Sequence, residues 1–200
     1  MYLYGASGHG KVVIDIVESS SSKEIEGVFD DNDTINEIAG IVVKKYKEDS
    51  IRPNDELIIS IGNNKVRKQL SEVIVAKYQI LIHYSSVVSK KAQIGEGTVI
   101  MPNVVVNAEA KIGRHCILNS RSVIEHDCEL GNFVHVSPNA SLAGNVKIGE
   151  GTHIGIGATI IQGVTIGKWV TIGAGTVVLK NVPDNATIVG NPGKIIKPKS

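Results

Sequence analysis

The sequence predicts a small Rossmann-like α/β domain over residues 1–83, followed over residues 84–200 by an all-β parallel β-helix with a C-terminal closing segment. Three observations predict it: a six-residue aliphatic repeat without a break, a glycine column in every third repeat, and an alternation of strand-like and helix-like segments before the repeat begins.

The repeat starts at Val88 and recurs through Ile94, Ile100, Val106, Ile112, Leu118, Ile124, Leu130 and Val136. It runs on through Leu142, Ile148, Ile154, Ile160, Ile166 and Ile172 to Val178, always branched and aliphatic. Four residues after each aliphatic lies a small or β-branched residue, a column that includes Cys116 and Cys128. Their expected role is that of small buried hydrophobes. In every third repeat the residue after the aliphatic is glycine, at Gly95, Gly113, Gly131, Gly149 and Gly167. This glycine column means three hexapeptides per coil, with one corner expected to need glycine's backbone freedom. Residues three hexapeptides apart then become vertical neighbours, about 4.8 Å from one another.

The N-terminal segment opens with the strand Tyr2-Leu3-Tyr4, which feeds the loop Gly5-Ala6-Ser7-Gly8-His9-Gly10. A helix follows, with Val12, Val13, Ile16 and Val17 expected inward and Lys11, Asp15 and Glu18 outward. Further strands are expected at Ile25–Phe29, Leu57–Ile61 and Ile80–His83, with a second helix marked by Val66, Leu70, Val73 and Ile74. This pattern predicts a three- or four-stranded parallel sheet. Its strand ends carry the glycine loop, Asp30-Asp31 and Gly62-Asn63-Asn64, where such sheets bind ligands. A glycine turn at a helix N-terminus suits a phosphate, and an acidic residue after the second strand suits a ribose or base edge. The spacing is GxxGxG rather than GxGxxG, so a dinucleotide fingerprint is not met.

Composition excludes other classes. A net charge of +1 argues against nucleic acid as partner, and no stretch reaches the roughly 20 apolar residues of a membrane span. Gly5, Gly8 and Gly10 interrupt any signal-peptide core, so a cytoplasmic protein is expected. His126 stands apart from the other histidines by its acidic neighbours Glu125 and Asp127 and its central coil. Gly144 lies three hexapeptides after His126, one coil above it on the same corner and about 4.8 Å away. His9, His83 and His115 are read as surface or hydrogen-bonded core histidines, with His9 open to a ligand contact.

Along nearly its whole length the chain resembles the sialic acid O-acetyltransferase and UDP-4-amino-sugar N-acetyltransferase family of hexapeptide-repeat acyltransferases. The residues that carry the resemblance are Tyr4 to Lys11, Phe29-Asp30-Asp31-Asn32, Ile61-Gly62-Asn63-Asn64 with Arg67, Ile124 to Cys128, Val134 to Ser137, Ala143-Gly144-Asn145, Val182-Pro183-Asp184 and Val189 to Pro192. The resemblance implies left-handed coils and a homotrimer with acetyl-CoA between neighbouring prisms. It also implies catalysis by His126, with Asp127 orienting the imidazole, and acetyl-CoA contacts from His135, Gly144, His153, Ile154 and Gly173. It implies a nucleotide-linked amino sugar held by Gly5, Ser7, Gly8, His9, Gly10, Asp30, Asp31, Gly62, Asn63 and Asn64, and no metal. Three positions depart from the family pattern. Asp127 stands where glutamate is frequent and is expected to reach the imidazole less well or through water. Gly193 stands where alanine is common, and His83-Tyr84 replaces a frequent His-Pro.

Three other readings stand beside this one. An O-acetyltransferase of sialic acid would share the fold. A carbonic-anhydrase-like metal site would use His135 and His153, which are one coil apart. A non-catalytic nucleotide-sugar sensor would bind ligand without turnover.

Overall fold

The computed structural model describes residues 1–20 and 23–198. In the N-terminal sheet, β1 (Tyr2–Tyr4) is central. On one side lie β2 (Gly27–Phe29), β4 (Ile41–Lys44) and the antiparallel β3 (Glu37–Ile38). On the other lie β5 (Glu56–Ile59) and β6 (Lys77–Tyr78). The strands alternate faces. Leu3, Val28 and Ile58 pack with the helix α1 (Gly8–Ser20), while Tyr4, Phe29 and Leu57 pack with Ile51 and Ile74. The hairpin from β3 to β4 has no counterpart among the expected strands.

Three expectations change here. On α1, Ile14 is fully buried and Val12 only partly so. On the second helix, α2 (Asn64–Val73), the one buried residue is Arg67, whereas Val66 and Val73 face solvent. The strand expected at Ile80–His83 forms at Leu81–Ile82 but pairs with Val99–Ile100 of the solenoid. The sheet's own last strand is Lys77–Tyr78, paired with β5.

From Leu81 the chain winds into a left-handed three-sided prism. The first face runs through Leu81–Ile82, Val99–Ile100, Ile117–Leu118, His135–Val136, His153–Ile154 and Thr171–Ile172. The second begins at Val87–Val88 and the third at Gln93–Ile94. Each strand pairs in parallel with the strand one coil later, as Val105 does with Val123 and Lys111 with Glu129. From Ile100 on, the repeat aliphatics point inward and are buried. Ala186–Val189 adds to the first face and pairs antiparallel with Lys194–Pro198, which closes the prism.

The cysteines occupy the small inner column, each Sγ 3.2 Å from a carbonyl of the next coil (Gly131 for Cys116, Ala143 for Cys128). Burial pushes the Cys116 thiol up to about 11, which suits an inert core residue.

The glycine column has a different cause from the expected one. None of its members has a positive φ. A Cβ on Gly149 would lie 2.5 Å from the Gly167 carbonyl carbon and the Lys168 nitrogen, and one on Gly113 would lie 2.6 Å from the Gly131 carbonyl carbon. Close approach of successive coils, not backbone freedom, demands glycine. The left-handed conformation falls two residues later, at every sixth residue from Gly97 to Gly175, including Glu109, His115, Asp127, Phe133 and Trp169.

Gly149→Ala is therefore expected to lower stability by about 1–3 kcal/mol in urea denaturation, through overpacking against backbone that cannot give way. An unchanged midpoint would contradict the close-approach account.

Candidate active site

The N-terminal loops begin at β1. Gly5, with φ +121°, leaves no room for a Cβ beside Ser60, and Ser60 Oγ donates to the Gly5 carbonyl at 2.7 Å. Gly10 is equally packed, its Cβ position 2.4 Å from the Gly5 oxygen. Asp30 holds the loop by accepting from the Ala6 N–H at 2.7 Å and the Asn32 N–H at 2.8 Å. Asn63 caps α2 by accepting from the Lys65 and Val66 amides. Asn64 donates to the Gly151 carbonyl at 3.0 Å and accepts from Arg67. The side chains of Asp30, Asn63 and Asn64 thus have structural partners. Ser7, Gly8, Asp31 and the backbone of Gly62 remain accessible at the strand ends.

Arg67 joins the two halves. The residue is 1% exposed, and its guanidinium donates to the carbonyls of Ile61 and Gly62 on one side and of His115 and Phe133 on the other. Burial brings its pKa down to about 10, so it stays charged at neutral pH. Around this seam lie several imidazoles. Burial, and then Arg67, lower His9 and His115 to about 4, and lower His153 as well. His115 stacks on Phe133 at 5.4 Å, and Lys65 and Lys68 lie over Trp169. The signal for this corner is the coil-by-coil series Gly97, His115, Phe133, Gly151 and Trp169, in which bulky rings fold over glycines.

His135 and His153 stack on the first face, ring centroids 4.8 Å apart. Each Nε2 already has a protein partner, Asn119 for His135 and Ser137 for His153. Among the described residues no three His, Cys, Asp or Glu side chains converge as a metal site requires. Ile154, expected to contact acetyl-CoA, is fully buried in the prism, and its carbonyl accepts the Ser137 N–H at 2.9 Å. Gly173 lies beyond the next strand of the same face, its Cβ position 2.8 Å from Val189.

His126 lies at the corner between the second and third faces. Its Nδ1 is 2.8 Å from Asp127 Oδ2, a direct contact that replaces the weak or water-bridged one expected. On an extended chain the two side chains would diverge, but the left-handed turn at Asp127 (φ +61°) brings them together. The hydrogen bond to Asp127, and the charges of Asp127 and Glu125, raise the imidazole pKa. Gly144 sits directly over the ring, where a Cβ would lie 2.7 Å from Nε2. Among the described residues no acceptor takes the Gly144 N–H. The arrangement offers a base with a defined tautomer beside a free backbone donor.

The coil order separates this dyad from the rest. His135, His153 and the N-terminal loops belong to the first face, and the dyad occupies the opposite corner of the prism. A groove of about 830 Å³ along the third face, lined by Lys111, Glu129, Lys147, Arg114 and Glu150, does not include His126. A cavity of about 350 Å³ opens at the seam between Gly62–Lys65 and His153, Trp169 and Thr171.

A nucleotide-type sheet welded to a hexapeptide prism with an oriented histidine defines an acyltransferase of the hexapeptide-repeat class. Comparison with known proteins agrees. Residues 1–74 match the PglD N-terminal domain, and residues 91–126 and 145–180 match the bacterial transferase hexapeptide model. The acetyltransferase domain of PglB from Neisseria gonorrhoeae is 38% identical, with a TM-score of 0.92 over 98% of each chain. A histidine-to-alanine variant of GDP-perosamine N-acetyltransferase from Caulobacter crescentus, solved with CoA and GDP-perosamine, is 34% identical with a TM-score of 0.91 over 98% of this chain and 96% of that one. UDP-N-acetylbacillosamine N-acetyltransferase of Bacillus subtilis is 40% identical over 107 residues, half of this chain and half of the relative. The chain belongs to the sialic acid O-acetyltransferase and UDP-4-amino-sugar N-acetyltransferase family of hexapeptide-repeat acyltransferases.

The geometry sets two expected outcomes. Arg67→Met should cost about 3 kcal/mol in urea denaturation, since it strands buried carbonyls that a charged donor now satisfies. Asp127→Asn removes the largest of the influences that raise the His126 pKa. The base works unprotonated, so the acid limb of the pH–rate profile should move to lower pH while plateau turnover falls on the order of tenfold or more. An acid limb that stays in place would separate Asp127 from the base.

Proposed function

We propose that this protein is an acetyl-CoA-dependent N-acetyltransferase acting on the amino group of a nucleotide-linked 4-amino-4,6-dideoxy sugar, UDP being the nucleotide, for surface glycan biosynthesis or protein glycosylation. The observation that carries the reading is the His126–Asp127 pair under Gly144, whose N–H has no acceptor among the described residues. His126 Nδ1–H donates to Asp127, which leaves Nε2 to accept the proton of the attacking amine. The Gly144 N–H faces the oxygen on which charge develops, a contribution that can exceed that of the base. Ser7, Gly8, Asp31 and Gly62 offer the nucleotide end of the acceptor its site, while His135, His153 and Gly173 line the path of the acyl donor.

One chain does not assemble this site, because the dyad and the N-terminal loops lie on opposite sides of the prism. A homotrimer resolves the separation. The outward column of the second face runs Val87, Val105, Val123, Ser141, Thr159 and Val177, and Val87 is 65% exposed. The corresponding column of the third face is Gln93, Lys111, Glu129, Lys147 and Thr165, all exposed. The apolar second face suits the trimer axis, which sets the dyad corner of one copy against the first face of the next. No helix among the described residues is long and apolar enough to cross a membrane. A cytoplasmic location suits a donor and an acceptor that are both soluble metabolites.

The test measures free CoA released from acetyl-CoA with a panel of nucleotide-linked 4-amino sugars and sialic acids. Release dependent on an amino sugar is expected, and His126→Ala should reduce it by about 100-fold or more with trimerisation intact. Release with sialic acid alone would assign O-acetylation, and unchanged turnover in His126→Ala would remove the base assignment.

A further inference from the structure

Asn119 stands at the corner that follows the strand Ile117–Leu118. Its Oδ1 accepts the Ser120 N–H at 2.8 Å, which fixes the orientation of the side-chain amide. The other end, Nδ2, then faces His135 Nε2 at 3.1 Å. An amide nitrogen only donates, so Nε2 must present its lone pair. In a neutral imidazole the proton is then on Nδ1. Of the groups around the ring, the Gly62 carbonyl is the one that favours a proton on it.

We propose that Asn119 is a positioning residue that locks His135 as the neutral Nδ1–H tautomer and so withholds it from proton transfer, leaving His126 to take the amine's proton and return it to the departing thiolate. The groups facing His135 are all basic: His153 stacked from the neighbouring coil, Arg67 from α2 and His9 from the glycine loop. Burial, followed by His153, Arg67 and His9, brings its pKa down to about 3. A second proton on this ring would place a cation beside a guanidinium that has no carboxylate partner among the described residues. A locked His135 therefore cannot act as an acid toward sulfur. The step balances through one imidazole. The amine nitrogen bonds to the acyl carbon, its proton passes to His126 Nε2, the carbon–sulfur bond breaks, and the same proton goes to sulfur to give amide and thiol.

The kinetic consequence rests on the acetyl-transfer reading, but the tautomer does not, so the two fail separately. The experiment is two-bond ¹H–¹⁵N NMR of the full-length protein with ¹⁵N-labelled histidine, the His135 ring being identified as the one lost in His135→Gln. The expected pattern is a pyrrole-like Nδ1 and a pyridine-like Nε2 that do not titrate between about pH 5 and 9. Asn119→Asp sets a carboxylate against Nε2. In that variant Nε2 should gain a proton, His135 should titrate within the same range, and turnover should fall off on the acid side at a higher pH than in the parent. A wild-type Nε2–H pattern, or titration of wild-type His135 within that range, would overturn the proposal. So would an Asn119→Asp variant whose ring pattern and pH profile match the parent.

Discussion

Every feature of the solenoid hangs on the parallel pairing of each strand with the one three hexapeptides later. That register stacks backbone on backbone at the glycine corner, where coils approach so closely that no Cβ fits between Gly149 and Gly167. A slip by one residue would turn the inner aliphatic column to solvent and its polar neighbours into the core. The same register sets chemistry: it lays Gly144 over the His126 ring and His135 under His153. It also repeats a left-handed turn at every sixth residue, and one of these turns folds the Asp127 carboxylate back onto His126.

The seam between the halves depends on a different interaction. Arg67 is a buried cation with no anion against it among the described residues, a state that costs several kcal/mol unless its donors are met. Here they are met by backbone carbonyls of the Ile61–Gly62 loop and of two successive coils, and by Asn64. A single side chain thereby fixes the height of the strand-end loop over the prism. Burial, with the positive charge of Arg67 as a lesser contribution, keeps the neighbouring imidazoles neutral, and this leaves the exposed His126, with its carboxylate, as the histidine suited to proton transfer.

Most of the prism was legible in the chain itself, because a repeat whose every unit makes the same contacts writes those contacts periodically. The glycine column was visible, although its cause is steric rather than conformational. The N-terminal sheet was legible in its core strands but not in the β3–β4 hairpin or in the fate of Leu81–Ile82, whose apolar pattern fits either sheet. On α2, periodicity favoured Val66 and Val73 over Arg67, since a pattern of apolar residues cannot register a buried cation satisfied by carbonyls. Asn63, Asn64 and Asp30 read as ligand contacts because they are polar and sit at strand ends. Their roles as cap, bridge and loop clasp depend on backbone groups brought near by folding.

The sequence by itself determined the three-sided coil, the identity of the inner columns and the placing of His126 one coil below Gly144, because each follows from spacing along the chain. Tertiary structure alone decided three other matters: that Asp127 reaches His126 directly, that Arg67 ties the two halves together, and that the dyad and the N-terminal loops lie on opposite sides of one prism. The physical reason is that spacing specifies which residues share a column. Turn geometry, desolvation and the packing of one domain on another specify what each column meets.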